Sequence, residues 1–347
     1  MSVKHAIIPI FVPHKGCPND CIFCNQKKIS GQITDMTPEK INEIVEEHLK
    51  TIKQNAVVEI AFYGGSFTAI EKELQRSFLT EAHKYVAAGK VAEIRLSTRP
   101  DCIDTETLDM LGQYGVRTIE LGVQSLDDEV LRASCRGHDA NIVYSSCELI
   151  KKMGFRLGIQ TMTGLPGDSR EKCIATAKKV ISLSPELVRI YPVLVIKDTG
   201  LEALMKDGHY TPQSLDEAVD ICAELLSLYE DNGINVIRIG LQPTDNIREG
   251  STDVVSGPFH PAFRQLVESR LARMKIENII NSQGLQGAQE VIIHTGISNI
   301  SNAVGQKKSN ILYLKNKYGF KNIKVLPSAD PSRDIACTAI SCEACRT

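Results

Sequence analysis

The run Ala6-Ile7-Ile8-Pro9-Ile10-Phe11-Val12 is followed closely by Gly16-Cys17-Pro18-Asn19-Asp20-Cys21-Ile22-Phe23-Cys24-Asn25. The first piece is a short apolar segment of strand length. The second places three cysteines at Cys-x3-Cys-x2-Cys spacing on a glycine- and proline-bearing loop directly past that strand. Ferredoxin-type iron–sulfur clusters close all four irons with four thiolates. Three thiolates, from Cys17, Cys21 and Cys24, leave one iron with a free position, much as catalytic zinc sites keep one ligand position open. A zinc site is the competing reading, but no fourth Cys or His stands at ligand spacing downstream, although His14 lies close upstream. A purely structural role leaves three near-adjacent thiols on a loop unexplained.

Working outward from this loop, further runs rich in β-branched residues recur at 57–63, 92–97, 117–123, 155–161 and 187–192, with helical patterns between them. With the run at 6–12 they make six β/α units. Such alternation predicts a parallel sheet, because each crossover returns right-handedly to the same edge. The fold class is therefore α/β, a partial (β/α)6 TIM-type barrel, with one more strand expected at 235–239. In such folds the reactive groups sit at the C-terminal ends of the strands. Thr37-Pro38 supplies a cap and an N1 proline before the apolar stripe Ile41, Ile44, Val45, Leu49 and Ile52. Asp168 with Glu171 forms a capping-box pattern, and Gly154 and Gly233 stand where helices should end. After about Gly250 the pattern changes. Residues 1–250 read as the barrel and 251–347 as an accessory α/β extension, with a helix at 261–273, a strand at 290–294, a helix at 309–318 and a strand at 322–326.

The chain has 347 residues, 42% of them hydrophobic, enough to bury a sizeable core. Its formal net charge is -2, so any polyanion it binds must meet a local basic patch and not a global field. No apolar stretch reaches the roughly 18 residues of a membrane span, and the N-terminal run lacks a small-residue cleavage site. A cytoplasmic location without a membrane partner is expected. The 11 cysteines are odd in number and unevenly spread, which reads as reduced thiols and not as a disulfide framework. Cys102, Cys135, Cys147, Cys173 and Cys222 are scattered where a small hydrophobe would serve.

The spacing of Cys17, Cys21 and Cys24, with an aromatic residue, Phe23, before the third cysteine, resembles the signature of the radical S-adenosylmethionine (SAM) superfamily. The resemblance implies a [4Fe–4S] cluster on these thiolates and SAM on the open iron. It further implies reductive cleavage of the sulfonium to methionine and a 5′-deoxyadenosyl radical, supplied by an external electron donor such as flavodoxin or ferredoxin. Phe62-Tyr63-Gly64-Gly65-Ser66-Phe67 resembles the superfamily's Gly-Gly motif, in which glycines admit the amino group of SAM to backbone carbonyls. Ser66 stands where many members have Glu, and a tight turn is the plainer reading of Gly64 and Gly65. Arg99, Gln124 and Arg136 fall just past strand ends. There Arg136 is expected on the SAM carboxylate and Gln124 on its ribose, with surface salt bridges as the alternative for both arginines. Gln160 and Tyr191 are candidates for the adenine pocket, against core packing. No residue is singled out as a catalytic acid, base or nucleophile.

Three stretches resemble the radical SAM domain of the Elongator catalytic subunit family. They are Glu120-Leu121-Gly122-Val123-Gln124-Ser125, the triplet Arg136-Gly137-His138, and Ile190-Tyr191-Pro192 continuing to Thr199-Gly200-Leu201 and Tyr210. That resemblance covers roughly residues 8–239 and implies modification of wobble uridines in transfer RNA with a group derived from acetyl-CoA. Nothing after Gly250 reads as an acetyltransferase, so the expected function is a radical SAM enzyme modifying tRNA or other RNA. Lys307, Lys308, Lys315, Lys317, Lys321 and Lys324 fall in one short span without an acidic residue, a footprint suited to phosphates. A solvated helix face is the plainer explanation. The alternatives are a radical SAM enzyme acting on a small molecule, as oxygen-independent coproporphyrinogen oxidase does, or on a protein, and a non-catalytic iron–sulfur protein. Cys337, Cys342 and Cys345, at Cys-x4-Cys-x2-Cys spacing, form a possible second metal site for an auxiliary cluster, or else a terminal tail.

Overall fold

The computed structural model describes residues 4–12, 21–25, 36–53, 55–241, 253–328 and 335–340. The chain divides into two compact units, Met1–Ala218 with Leu228–Pro261, and Val219–Ser227 with Ala262–Thr347.

In the first unit the apolar runs form β1 (Lys4–Val12), β2 (Ala56–Gly64), β3 (Glu93–Thr98), β4 (Val116–Gln124), β5 (Arg156–Thr163) and β6 (Leu187–Pro192). A two-residue β7 (Val195–Ile196) follows. Then β8 (Asn235–Ile239), the further strand expected from the sequence, pairs with β6 and brings the sheet to seven parallel strands in the order β1-β2-β3-β4-β5-β6-β8. β1 and β8 are both edges, so the barrel is partial and open. The crossovers carry α1 (Pro38–Thr51), α2 (Lys72–Ala87), α3 (Thr105–Gln113), α4 (Asp128–Ala133), α5 (Ala140–Lys152), α6 (Arg170–Ser182), α7 (Gly200–Lys206) and α8 (Leu215–Asp231), whose stretch Val219–Ser227 counts with the second unit. β9 (Val254–Ser256) lies antiparallel to β7.

Local signals account for most helix ends. Thr37 Oγ1 accepts from Lys40 N at 3.3 Å with Pro38 at the first position of α1. Gly154 and Gly233 follow α5 and α8 in the left-handed region, at φ 82° and 71°, where a side chain would be strained. Asp168 does not cap α6. Ser169 does, accepting from Lys172 N at 3.3 Å, because it is the residue with extended backbone angles one position before the helix. Asp168 instead accepts from the backbone amides of Gly164 and Ser169 at 3.0 and 2.9 Å.

The two faces of the seven-stranded sheet differ in kind. Ile60, Phe62, Ile94, Leu96, Ile119 and Leu121 are fully buried on one face. Interleaved with them, by strand alternation, Glu59, Arg95, Glu120, Gln160 and Arg189 share the other. Strands of a parallel sheet are ordinarily apolar on both faces, and burying a charge is costly unless it is paired. A polar inner wall therefore has to be held together by its own ion pairs, and it is.

The second unit contains α9 (Phe263–Ser282), β10 (Glu290–Thr295), α10 (Ile300–Val304), α11 (Ser309–Tyr318), β11 (Asn322–Pro327) and β12 (Ile335–Ile340). α9 runs nine residues beyond the helix expected at 261–273. Ile276 and Ile280 continue its buried stripe at helical spacing until Gly284, in the left-handed region, follows its end. The sheet order is β11-β10-β12, parallel on one side of β10 and antiparallel on the other. β12 occupies the start of the proposed terminal cysteine run. Opposite Ile293, Cys337 turns inward and packs with Ile276, Val291 and Leu314 in the core of this unit.

Candidate active site

The loop after β1 is described from Cys21 to Asn25, and Cys17 lies outside the described residues. Cys24 N donates to Cys21 O at 2.9 Å, closing a tight turn that brings the two cysteines near each other. Three contacts hold this turn. Ile22 N donates to Ser134 O at 3.1 Å, Leu201 N donates to Ile22 O at 2.8 Å, and Asn25 Nδ2 donates to Lys197 O at 3.3 Å. Gly200 is needed at the second contact, since a Cβ there would stand 2.7 Å from Ile22 Cγ1. Phe23 packs against a cluster of Val130, Leu165, Val193, Val195 and Leu201, which fixes the loop over the strand ends.

The strand ends complete the site. At the end of β2, Gly64 has φ +103° and a Cβ there would lie 3.0 Å from Val12 O, so only glycine fits between these strands. Ser66 is buried, shares a 2.8 Å hydrogen bond with Thr98 Oγ1, and accepts from Arg99 N at 3.1 Å. Arg99 donates to both oxygens of Asp101, at 2.8 and 2.9 Å, and to the backbone carbonyl of Arg136 at 2.6 Å. Burial alone would raise the Asp101 carboxyl. The Arg99 hydrogen bonds and charge outweigh it and hold the group below the usual carboxylate range. Arg136 donates through Nη1 to Cys21 Sγ at 3.3 Å and through Nη2 to Gly122 O. Gly122 leaves room for this: a Cβ would meet Gln124 Nε2 at 3.0 Å and Arg136 Nη2 at 3.1 Å. Gln124 itself sits in the left-handed region at φ 68°. Gln124 Oε1 and Arg136 Nε are buried without a hydrogen-bond partner among the described residues.

These groups converge on one cavity that opens to solvent. Of the residues expected at the cofactor, Gly64, Gly65, Ser66, Arg99, Gln124, Arg136 and Gln160 line it together with Cys21, Phe23 and Cys24. Tyr191 is not among the lining residues. Its side chain is half-buried, and burial raises the phenol above its ordinary value, with Arg189 opposing the shift. Of the proposed second metal site, Cys337 is a core residue of the other unit, its thiol pushed up to about 11 by burial. Cys342 and Cys345 lie outside the described residues.

Sequence reading missed the wall beneath the cavity. Glu120, fully buried, accepts from Arg189 Nε at 2.5 Å and Nη2 at 3.0 Å, from Gln160 Nε2 at 3.1 Å, from Arg95 Nη1 at 3.4 Å and from Tyr63 Oη at 3.4 Å. Arg189 also donates to Tyr63 Oη at 2.6 Å and stacks 4.9 Å over its ring. Arg95 pairs with Glu59 at 2.6 Å. Burial, then the Glu120 charge, push the Tyr63 phenol up to about 12, so it stays protonated. Gln160 Nε2 donates to Ser97 Oγ at 2.9 Å as well. With both acceptors on its nitrogen side, the amide turns its oxygen away from the carboxylate. The signal that would have found this network is an acidic and two basic residues at one-in-two spacing within otherwise apolar parallel strands.

Two family models match the chain in succession. The radical SAM superfamily matches residues 11–180 and the radical SAM C-terminal domain matches residues 185–273. Among curated relatives, the tRNA uridine(34) acetyltransferase of Dehalococcoides mccartyi is 26% identical over 298 residues, which cover 73% of this chain and 62% of that protein. Elongator complex protein 3 of Danio rerio is 33% identical over 192 residues, covering 49% of this chain and 35% of that protein. The chain thus spans between about a third and two thirds of the length of these relatives. Among solved structures, the archaeal Methanocaldococcus infernus Elp3 with an N-terminal deletion superposes with a TM-score of 0.62 at 22% identity, covering 82% of this chain and 64% of that one. This likeness shows the fold.

Proposed function

The chain belongs to the radical SAM superfamily of enzymes, which use a [4Fe–4S] cluster and SAM, and from that premise we propose that it cleaves SAM reductively in order to modify transfer RNA or other RNA. The observation that carries the reading is the convergence of Cys21 and Cys24 with the Gly64–Gly65 turn, Gln124 and Arg136 on one cavity. The residues suit the cofactors chemically. Gln124 Oε1 and Arg136 Nε are buried acceptor and donor atoms without a partner among the described residues, and such atoms call for an explanation, which a polar ligand would give. Cys17, Cys21 and Cys24 would hold the cluster. Gly64 and Gly65 would let the backbone approach SAM, Arg99, Arg136 and Gln124 would orient its polar ends, and Ser66 and Gln160 would complete the wall. When bound and reduced, the cofactor pair supplies a 5′-deoxyadenosyl radical.

RNA as the substrate class is supported by the names of the relatives and by the second unit's lysines. Lys317 and Lys324 are engaged by Glu277 at 2.5 Å and Glu290 at 2.9 Å. Lys307 and Lys308 are exposed and have no ion-pair partner among the described residues, so they are available to phosphates. The proposal covers the radical step alone and does not extend to the acetyl transfer in the relative's name.

The test uses anaerobically reconstituted protein, reductant, SAM and bulk tRNA. The expected result is 5′-deoxyadenosine release together with a SAM-dependent mass change in one or more nucleosides of the digested RNA. Release of 5′-deoxyadenosine with every nucleoside unchanged would refute the RNA assignment, and no release under strong reductant would refute the cleavage.

A further inference from the structure

Cys21 Sγ receives two guanidinium donors. Arg136 Nη1 lies 3.3 Å and Arg99 Nη1 3.8 Å from it, and both side chains are buried, Arg99 at 2% and Arg136 at 6% residual exposure. We propose that Arg99 and Arg136 are positioning residues that set the reduction potential of the cluster through the sulfur of Cys21. The inference rests on the reading of Cys21 as a cluster ligand given above.

The two arginines are not equivalent. Arg99 is neutralised locally, because its fork is taken up by both oxygens of Asp101. Arg136 has no carboxylate partner among the described residues. Among those residues its other side-chain hydrogen bonds are to the Gly122 carbonyl and the sulfur, and its Nε has no partner. A buried guanidinium without a counter-ion is costly, so this position calls for a buried anion. A cubane on three thiolates supplies one, since its net negative charge grows by one unit on reduction. N–H donors to cluster sulfurs are among the main determinants of potential, and charged donors are about twice as strong as neutral ones. The pair therefore stabilises the reduced form more than the oxidised form, with Arg136 contributing the larger part. The architecture keeps the donors in place: Arg99 Nη2 donates to Arg136 O at 2.6 Å, and Gly122 offers Arg136 Nη2 both a carbonyl and the space a side chain would fill.

The experiment is an anaerobic potentiometric titration of cluster-loaded protein in the absence of SAM, read by electron paramagnetic resonance of the reduced cluster. Iron and sulfide per chain are measured on the same samples. Omitting SAM removes any role of Arg136 at the SAM carboxylate from the readout. Arg136→Gln is expected to hold its iron and, at the wild-type midpoint, to show a roughly tenfold lower ratio of reduced to oxidised cluster, which for a one-electron couple is about 59 mV. Arg136→Lys should fall less, because it keeps a cationic donor, and Arg99→Gln less than Arg136→Gln. Asp101→Asn should move in the opposite direction, since it exposes the sulfur to the full Arg99 charge. Full iron with an unchanged midpoint in Arg136→Gln overturns the inference. If that variant cannot hold a cluster, Asp101→Asn decides, and a midpoint that stays or falls overturns the inference. Wild-type protein unable to bind a cubane would instead overturn the assignment of Cys21 itself.

Discussion

Arg189 meets Glu120 at two points, Nε to Oε2 at 2.5 Å and Nη2 to Oε1 at 3.0 Å, across the inner face of the sheet where both side chains are nearly sealed from solvent. Burial by itself would lower the arginine, and the adjacent carboxylate reverses that and keeps it charged. Removing one partner of such a pair strands the other charge. Arg189→Ala is expected to lower stability by about 3–5 kcal/mol in urea unfolding. A double variant, Glu120→Gln with Arg189→Met, should recover most of that loss, because a pair replaced together leaves no bare charge. Equal instability of the single and double variants would refute the pairing.

Gly64 and Gly89 both have positive φ, +103° and +68°, but they differ in their surroundings. A methyl group added at Gly64 would stand 3.0 Å from Val12 O, while one added at Gly89 would meet nothing within 4 Å. Gly89→Ala should therefore cost only the left-handed penalty, about 1–2 kcal/mol. Gly64→Ala should cost more, with a further 1–3 kcal/mol roughly expected from local strain. Thermal unfolding of the two variants checks the order.

Asp101 contributes stability with a definite pH dependence. Its carboxyl is held below its unfolded value, so the contribution is complete above that value and drains away as pH falls through the lower folded one. The urea midpoint of wild type should exceed that of Asp101→Asn at about pH 7, and the gap should narrow below about pH 4. A gap that widens in acid would contradict the Arg99 pairing.

Cys337 and Cys135 should differ sharply in reactivity. Cys135 is exposed, whereas Cys337 is 4% exposed and its thiol is pushed up to about 11 by burial. Because the thiolate is the nucleophile, iodoacetamide at about pH 8 should label Cys135 in the native protein and leave Cys337 unmodified until urea is added, as followed by peptide mass spectrometry. Cys337→Val should keep the iron content of the loaded protein. Loss of iron in that variant would restore a ligand role to this residue.

The sequence made the strands legible because β-branched runs alternate with helical stripes, and even the edge strand at Asn235–Ile239 falls where its run predicts. The strand-end residues that line the cavity were legible as well, since polar groups past parallel strands have few other places to point. The placements that local patterns do not record share a physical cause. β12 pairs with β10, well upstream, in a register that sets Ile293 opposite Cys337, and no local pattern records such a partner. The cap of α6 falls on Ser169 because backbone angles, not residue type, choose between adjacent Asp and Ser. Tyr191 belongs with the buried Arg189 rather than with the cavity, a placement decided by partners on other strands. Glu120 alone joins partners 25 to 69 positions away.

Glu120 stands on β4 and is shared by Tyr63 of β2, Arg95 of β3, Gln160 of β5 and Arg189 of β6. No one of these strands can alter its inner-face charge alone without leaving an ion stranded for its neighbours. Drift at this wall is therefore constrained to concerted exchanges, and descendants of this chain that change the carboxylate should be found to have changed at least one arginine with it.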